Sequence, residues 1–388
     1  MTSIEGTINI NFSTGLFKPK AISISSSRPL LVSQIFVGKS CSQVLEMVPL
    51  VYSVCAAAQS RASLLAIESQ QKIAVDPVKE MAREIIVLME TAREHLLRIF
   101  LGWSELFHQD KKDLPLPFVS QLVILTKQAL FKNGNAFSLN SELSIDKNAM
   151  RRLLERLKQY LKEWIYKIPV LNWSKFNQLD QLTKWCEQHD SIATKSITEI
   201  IQKQFSQQCA STCLALPELN HLELTNRLKS KDVNQFMAQP DWNSQNYDTS
   251  PLSRQINHPL IQSLFNHHKN GLLTRWVSRL VELSSIPEKI DDLLNLSDKP
   301  SLLSAHSATG LGIVEAARGR LIHRAEVVDN IITEYQIIAP TEWNFHPQGL
   351  VKQSLNNISL DNLDEIRHLS HLLINAIDPC VDYQLRIE

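Results

Sequence analysis

The sequence has no excess of charge of either sign, with 40 Lys and Arg against 40 Asp and Glu in 388 residues. Without a net field, neither nucleic acid nor an anionic membrane is an expected partner. It has no Cys-x-x-Cys pair, and its six cysteines are scattered from Cys41 to Cys380. That leaves no ligand set for an iron–sulfur relay, and in a chain this long it argues against a disulfide framework. Long apolar runs are missing too. The least polar stretch, Met47 to Ser60, contains Pro49 and is too short to span a bilayer. The opening MTSIEGTINI has no cationic start and no apolar core, so a cytoplasmic protein is expected. Glycine is scarce, at 10 residues. What is present, 44% hydrophobic and 21% charged residues, suits a large buried core.

Periodicity divides the chain. Residues 4–28 alternate apolar and polar on both sides of Ser13-Thr14-Gly15, the pattern of a β-hairpin or two-stranded ribbon. From Ser40 the spacing of Val44, Met47, Val48, Val51, Cys55, Ala58 and Ala62 becomes helical, with Ser42 as a candidate cap and a bend at Pro49. Helical patterns follow over residues 77–102, 119–131, 148–168, 195–209 and 270–296. Residues 239–254 read as a long polar loop. Strands return around Val314, Leu321 to Val327 and Ile332 to Ile338, with Asp329-Asn330 as the turn. A last helix, Asp361 to Ile377, stops against Pro379. The expected fold is α+β and predominantly α. It is one domain over residues 1–388, with motif-bearing ends at 1–70 and 310–388 that supply small β elements and a helical middle at 71–309. Cys209 and Cys213 share a helical face in this reading, favouring two buried thiols over a metal site. His267-His268 and His368 with His371 read as solvated helix faces.

Four stretches, VPLVYSVCAAAQSRASLLAIE, VEAARGRLIHRAEV, YQIIAPTEWNFHP and the terminal AIDPCVDYQ, occur in an order and with internal spacings that resemble the large subunit of nickel–iron hydrogenases. SPLSRQ in the middle is a fainter match. The resemblance implies a site in which two Cys-x-x-Cys motifs supply four thiolates to nickel and iron. Here the first motif reads Tyr52-Ser53-Val54-Cys55 and the second Cys380-Val381-Asp382-Tyr383, so each keeps one thiol. Cys55 is of the bridging type and Cys380 of the terminal type. By the same resemblance Arg318 matches the arginine over the metals and Thr341 a hydroxyl donor to the iron's cyanides. Glu5 matches a proton-passing glutamate and Asp378 the aspartate of Asp-Pro-Cys. Gln59 stands in place of a histidine, Ser33 in place of a magnesium-binding glutamate, Arg386 in place of a terminal histidine and Ala317 in place of a proline.

These departures have a chemical reading. Soft thiolates select low-valent iron and nickel, but two of them cannot build a four-sulfur nickel site. A hard divalent cation needs oxygen ligands, which Ser33 and Arg386 supply poorly. Neither nickel nor magnesium is expected. The pattern is similar to a paralogue of the large subunit dedicated to hydrogenase maturation, of the HupK/HoxV type. That implies a non-catalytic scaffold that holds the Fe(CN)2CO unit transiently, on Cys55 and Cys380, with Arg318, Thr341, Glu5 and Asp378 around it. The implied partners are hydrogenase maturation proteins and the large-subunit precursor. Tyr52 and Tyr383 are expected to fill the space vacated by nickel. A divergent catalytic large subunit and a metal-free docking paralogue are the alternative readings.

Overall fold

The structure is a computed structural model that describes residues 6–13, 21–74, 76–109, 114–296 and 309–387. Glu5 and the turn expected at Thr14-Gly15 lie outside the described residues. The N-terminal alternation forms two antiparallel strands, β1 (Thr7–Ser13) and β2 (Ala21–Ser26). Ile8, Ile10, Phe12, Ile22 and Ile24 are buried, as the period of two requires. The free edge of β1 is taken by a strand from the other end of the chain, β6 (Asp382–Ile387), which runs parallel to it with Ile8 opposite Tyr383. Parallel neighbours need a long crossover. Here the crossover is nearly the whole protein, and it brings both motif-bearing ends together.

The second sheet is an antiparallel meander of β3 (Leu311–Ala316), β4 (Gly319–Val328) and β5 (Ile331–Ile338). Asp329 and Asn330 both have positive φ, 48° and 64°, as a two-residue hairpin turn requires. Helix α1 (Cys41–Val51) is capped by Ser40 rather than Ser42, because Ser40 and Gln43 form a reciprocal capping box. Pro49 lies in its last turn, and the helix ends two residues later. Helix α2 (Ala56–Gln70) is buried nearly all round, and Ala57, Ala58, Ala62 and Ala66 let it sit between the meander and α3 (Pro77–Leu97). A side chain on Gly312 of β3 would place its Cβ 1.9 Å from the Ala62 carbonyl oxygen. Gly312→Ala is therefore expected to destabilise the protein by about 1–3 kcal/mol or more. A denaturant midpoint unchanged from the parent would contradict this packing.

The helical body is completed by α4 (Leu116–Leu130), α5 (Lys147–Leu161) and the long α6 (Leu272–Leu296), with shorter helices between. After α3 the chain continues into a wide π-type turn, Arg98–Trp103. Two short sequences then frame the site: α7 (Pro340–Asn344) and α8 (Leu363–Ile377). The fold is α+β with helix predominant. Cys209 and Cys213 are not on a helix: the preceding helix ends at Gln202 and Cys209 sits in a turn at φ 61°. Both thiols are buried and burial pushes both up, Cys213 to about 12. Among the described residues no helix is long and apolar enough to cross a membrane.

Candidate functional site

Cys55 sits at the mouth of α2. Because α1 ends after Pro49, the chain turns through Tyr52, Ser53 and Val54 and re-enters helix at Ala56. The free N–H groups at the start of a helix need acceptors. Glu90 of α3 supplies them, taking bonds from the Ala57 and Ala58 nitrogens at 2.7 and 2.9 Å. Arg93 donates to the Val54 carbonyl at 2.9 Å. The loop that presents Cys55 is thus pinned from α3.

Cys380 comes from the other end. Helix α8 stops at Asp378, which takes the left-handed conformation at φ 65° before Pro379. The Cys380 nitrogen then donates to Thr341 Oγ1 on α7 at 3.3 Å, and β6 begins two residues later. The two sulfurs meet in hydrogen-bonding contact. The bond donated by the Cys55 thiol holds Cys380 below the ordinary thiol range against burial, helped by the Arg318 and Arg28 cations and the Thr341 hydroxyl. Cys55, as the donor and fully buried, is raised well above that range. A soft metal binding both sulfurs would take them as thiolates and displace any thiol proton.

Arg318 enters from the β3–β4 turn. Its Nη1 donates to Glu94 at 3.0 Å, while its buried Nε lies 3.4 Å from Asp378 without forming a hydrogen bond. Asp378 also pairs with Arg98 from the π-type turn and with Arg279 of α6 at 3.4 Å. Burial pushes this carboxyl up, but the Arg318, Arg98 and Arg279 cations outweigh it and hold it at about 2. The SPLSRQ stretch contributes Arg254, whose guanidinium grips Glu282 at 2.6 and 2.7 Å and the Ala317 carbonyl at 3.0 Å. Glu282 in turn meets His95, and His95 meets Arg279 at 3.1 Å. This buried network aims Arg318, and apart from Asp378 and Arg254 none of its supporting members was legible in the sequence.

Gln59 stands one turn along α2 from Cys55, with its amide nitrogen 3.7 Å from the sulfur. Its carbonyl oxygen accepts from His323 Nε2 at 2.7 Å, and His323 Nδ1 faces the Tyr335 hydroxyl at 2.8 Å. Burial holds His323 down at about 3, so it is neutral, and the chain of bonds sets its Nε2 as the donor.

A cavity of about 90 Å³ opens beside the two thiols, lined by Arg28, Tyr52, Cys55, Gln59, Glu342 and Cys380 among others. Arg318 and Thr341 are not among its lining residues. Tyr52 is on the wall, its hydroxyl pushed up to about 12 by burial. Tyr383 is not: its hydroxyl bonds to His371 Nδ1 at 2.8 Å, so only one tyrosine occupies the expected space. His371 is correspondingly half-buried rather than solvated. Ser33 donates to the Tyr335 carbonyl at 3.0 Å, and Arg386 is exposed on β6. Arg28 and Glu342, an ion pair at 2.5 Å on the cavity wall, went unnoticed in the sequence because neither carries a recognisable spacing.

Residues 269–382 match the nickel-dependent hydrogenase family. The chain is 26% identical over 373 residues to the hydrogenase expression/formation protein HupV of Azotobacter chroococcum mcd 1, covering 95% of this chain and 94% of that one. It is 26% identical over 387 residues to HoxV, of the same description, from Cupriavidus necator, covering 95% and 93%. Its fold is similar to that of the nickel–iron–selenium hydrogenase of D. vulgaris Hildenborough, with a TM-score of 0.64 at 17% identity over 94% of each chain. Motifs at both ends, the matched segment 269–382 and the shared fold together make the chain similar to the nickel–iron hydrogenase large-subunit family.

Proposed function

We propose that this protein acts in hydrogenase maturation, as a non-catalytic scaffold that holds Fe(CN)2CO before its transfer to the hydrogenase large subunit. The relatives named as expression/formation proteins support the maturation role. One observation carries the finer reading: Cys55 and Cys380, from opposite ends of the chain, meet sulfur to sulfur beside a cavity large enough for several diatomic ligands. Among the described residues no group of three or more His, Cys, Asp or Glu side chains is arranged to hold a metal ion. Two thiolates suit an iron that arrives with its own carbonyl and cyanide ligands. Each residue then has a task. Cys55 and Cys380 bind the iron, and Gln59 orients the Cys55 sulfur. Arg318, fixed by Asp378 and Glu94, and Thr341 stabilise the negative charge of the two thiolates. Having two thiolates rather than four leaves the iron releasable. Glu5, the first residue of the Glu5-Gly6 pair, matches the proton-passing glutamate by the resemblance.

The test is protein produced anaerobically with the hydrogenase maturation proteins. It is expected to contain substoichiometric iron, infrared bands in the cyanide and carbonyl regions, and neither nickel nor magnesium. Stoichiometric nickel would instead favour a catalytic subunit. Freshly prepared protein free of all metal would favour a docking role.

A further inference from the structure

We infer that Arg28 is a cargo-binding residue: its guanidinium, held by Glu342 on the cavity wall, donates hydrogen bonds to the anionic ligands of the iron unit. This rests on the scaffold reading and adds a contact to it. Arg28 is the one basic side chain among the described residues that line the cavity, and Glu342 the one acidic. Arg318 does not line the cavity, so the cation presented to the void itself is Arg28.

The position of Arg28 is built rather than incidental. Gly6, at φ +77°, packs so closely that an added Cβ would lie 2.6 Å from the Arg28 Cα. The neighbouring Ser27 is tied to Thr7 through both backbone and side chain. Arg28 lies two residues past the end of β2, and Ser27 fixes this segment against Thr7 of β1. Its Nη1 donates to Glu342 Oε1 at 2.5 Å. Glu342 cannot swing away, because its other oxygen accepts from the Ala339 nitrogen at 2.9 Å at the start of α7. A guanidinium carries five N–H groups, and that to Glu342 is the hydrogen bond it makes among the described residues. The fork is thus oriented at one corner and has donors to spare beside both cysteines.

The chemistry fits the cargo. A dicyano iron on two thiolates is anionic, and its cyanide nitrogens are acceptors at the end of a rigid rod. A charged donor fixed at the wall meets such an acceptor with the stronger, charge-assisted kind of bond. A planar fork is better matched to this than an ammonium on a flexible stem.

The experiment compares the parent protein, Arg28→Gln, Arg28→Lys and the double variant Arg28→Gln/Glu342→Gln, all produced with the maturation proteins. The double variant matters because the single one strands a buried carboxylate. Loss of one charge-assisted hydrogen bond should make iron leave the protein about ten- to a hundredfold faster. The cyanide bands should shift while the carbonyl band stays nearly in place, and Arg28→Lys should recover part of the loss. A double variant that melts like the parent, retains iron like the parent and shows unmoved cyanide bands overturns the role of Arg28 alone. Absence of the bands from the parent overturns the scaffold reading and the Arg28 contact with it.

Discussion

Replacing Cys55 or Cys380 by serine is expected to abolish the cyanide and carbonyl bands and the bound iron, and to reduce hydrogenase activity in cells to the level of a deletion strain. A neutral hydroxyl is a poor, hard ligand for low-valent iron. One remaining thiolate leaves the iron with a single protein bond. The change in shape is small, one atom at each position, so the variants should fold and melt close to the parent. The two serine variants should behave alike, since each removes half of one shared site. Normal maturation in cells carrying either would defeat the thiolate scaffold and leave the docking role in its place. The structure also alters what restoring the lost cysteines should do. Tyr52→Cys places a thiol on the cavity wall and should tighten iron retention. Tyr383→Cys first removes the bond to His371.

Asp378→Asn is expected to have the largest effect on stability. Asp378 is fully buried and shared by Arg98, Arg279 and Arg318. Removing the anion of such a set leaves buried cations uncompensated, at a cost of about 3–5 kcal/mol. Asparagine isolates this effect because it tolerates the left-handed backbone that Asp378 adopts at φ 65°. The same substitution should change the acid limb of the stability curve. The folded pKa, about 2, is depressed below about 3.9 in the unfolded chain. Stability from Asp378 is therefore complete above about 4 and is lost as pH falls through about 2. In the variant, denaturant midpoints should be lower at neutral pH and fall less steeply across that window. A midpoint unchanged at pH 7 would show that the arginines do not depend on this carboxylate. Because Arg318 is one of them, iron retention should fall in parallel.

Much of this architecture is local chemistry written in the sequence. Alternation at Ile8, Ile10 and Phe12 dictates a strand, because a period of two buries one face. The meander follows from apolar runs separated by Asp329-Asn330, whose residue types accept positive φ. Helix α2 follows from small residues at helical spacing. These are properties of short segments, so composition and spacing determine them without knowledge of the rest of the chain. Cys55, Cys380, Arg318, Thr341 and Asp378 were marked only by the resemblance of the motifs around them to a known family. Other features had no local signal. Strand β6 is six residues that become a strand only because β1 offers an open edge. The Ser40 cap displaced Ser42 because Gln43 closes the box. Cys209 left its helix where the chain turns at Lys203 and Gln204. Tyr383 turned from the cavity to His371, and Arg28 came to the cavity through its pairing with Glu342, 314 residues away. Each of these depends on a partner distant in sequence, and ion pairs, edges and cavities are properties of surfaces that exist only once the chain has closed on itself.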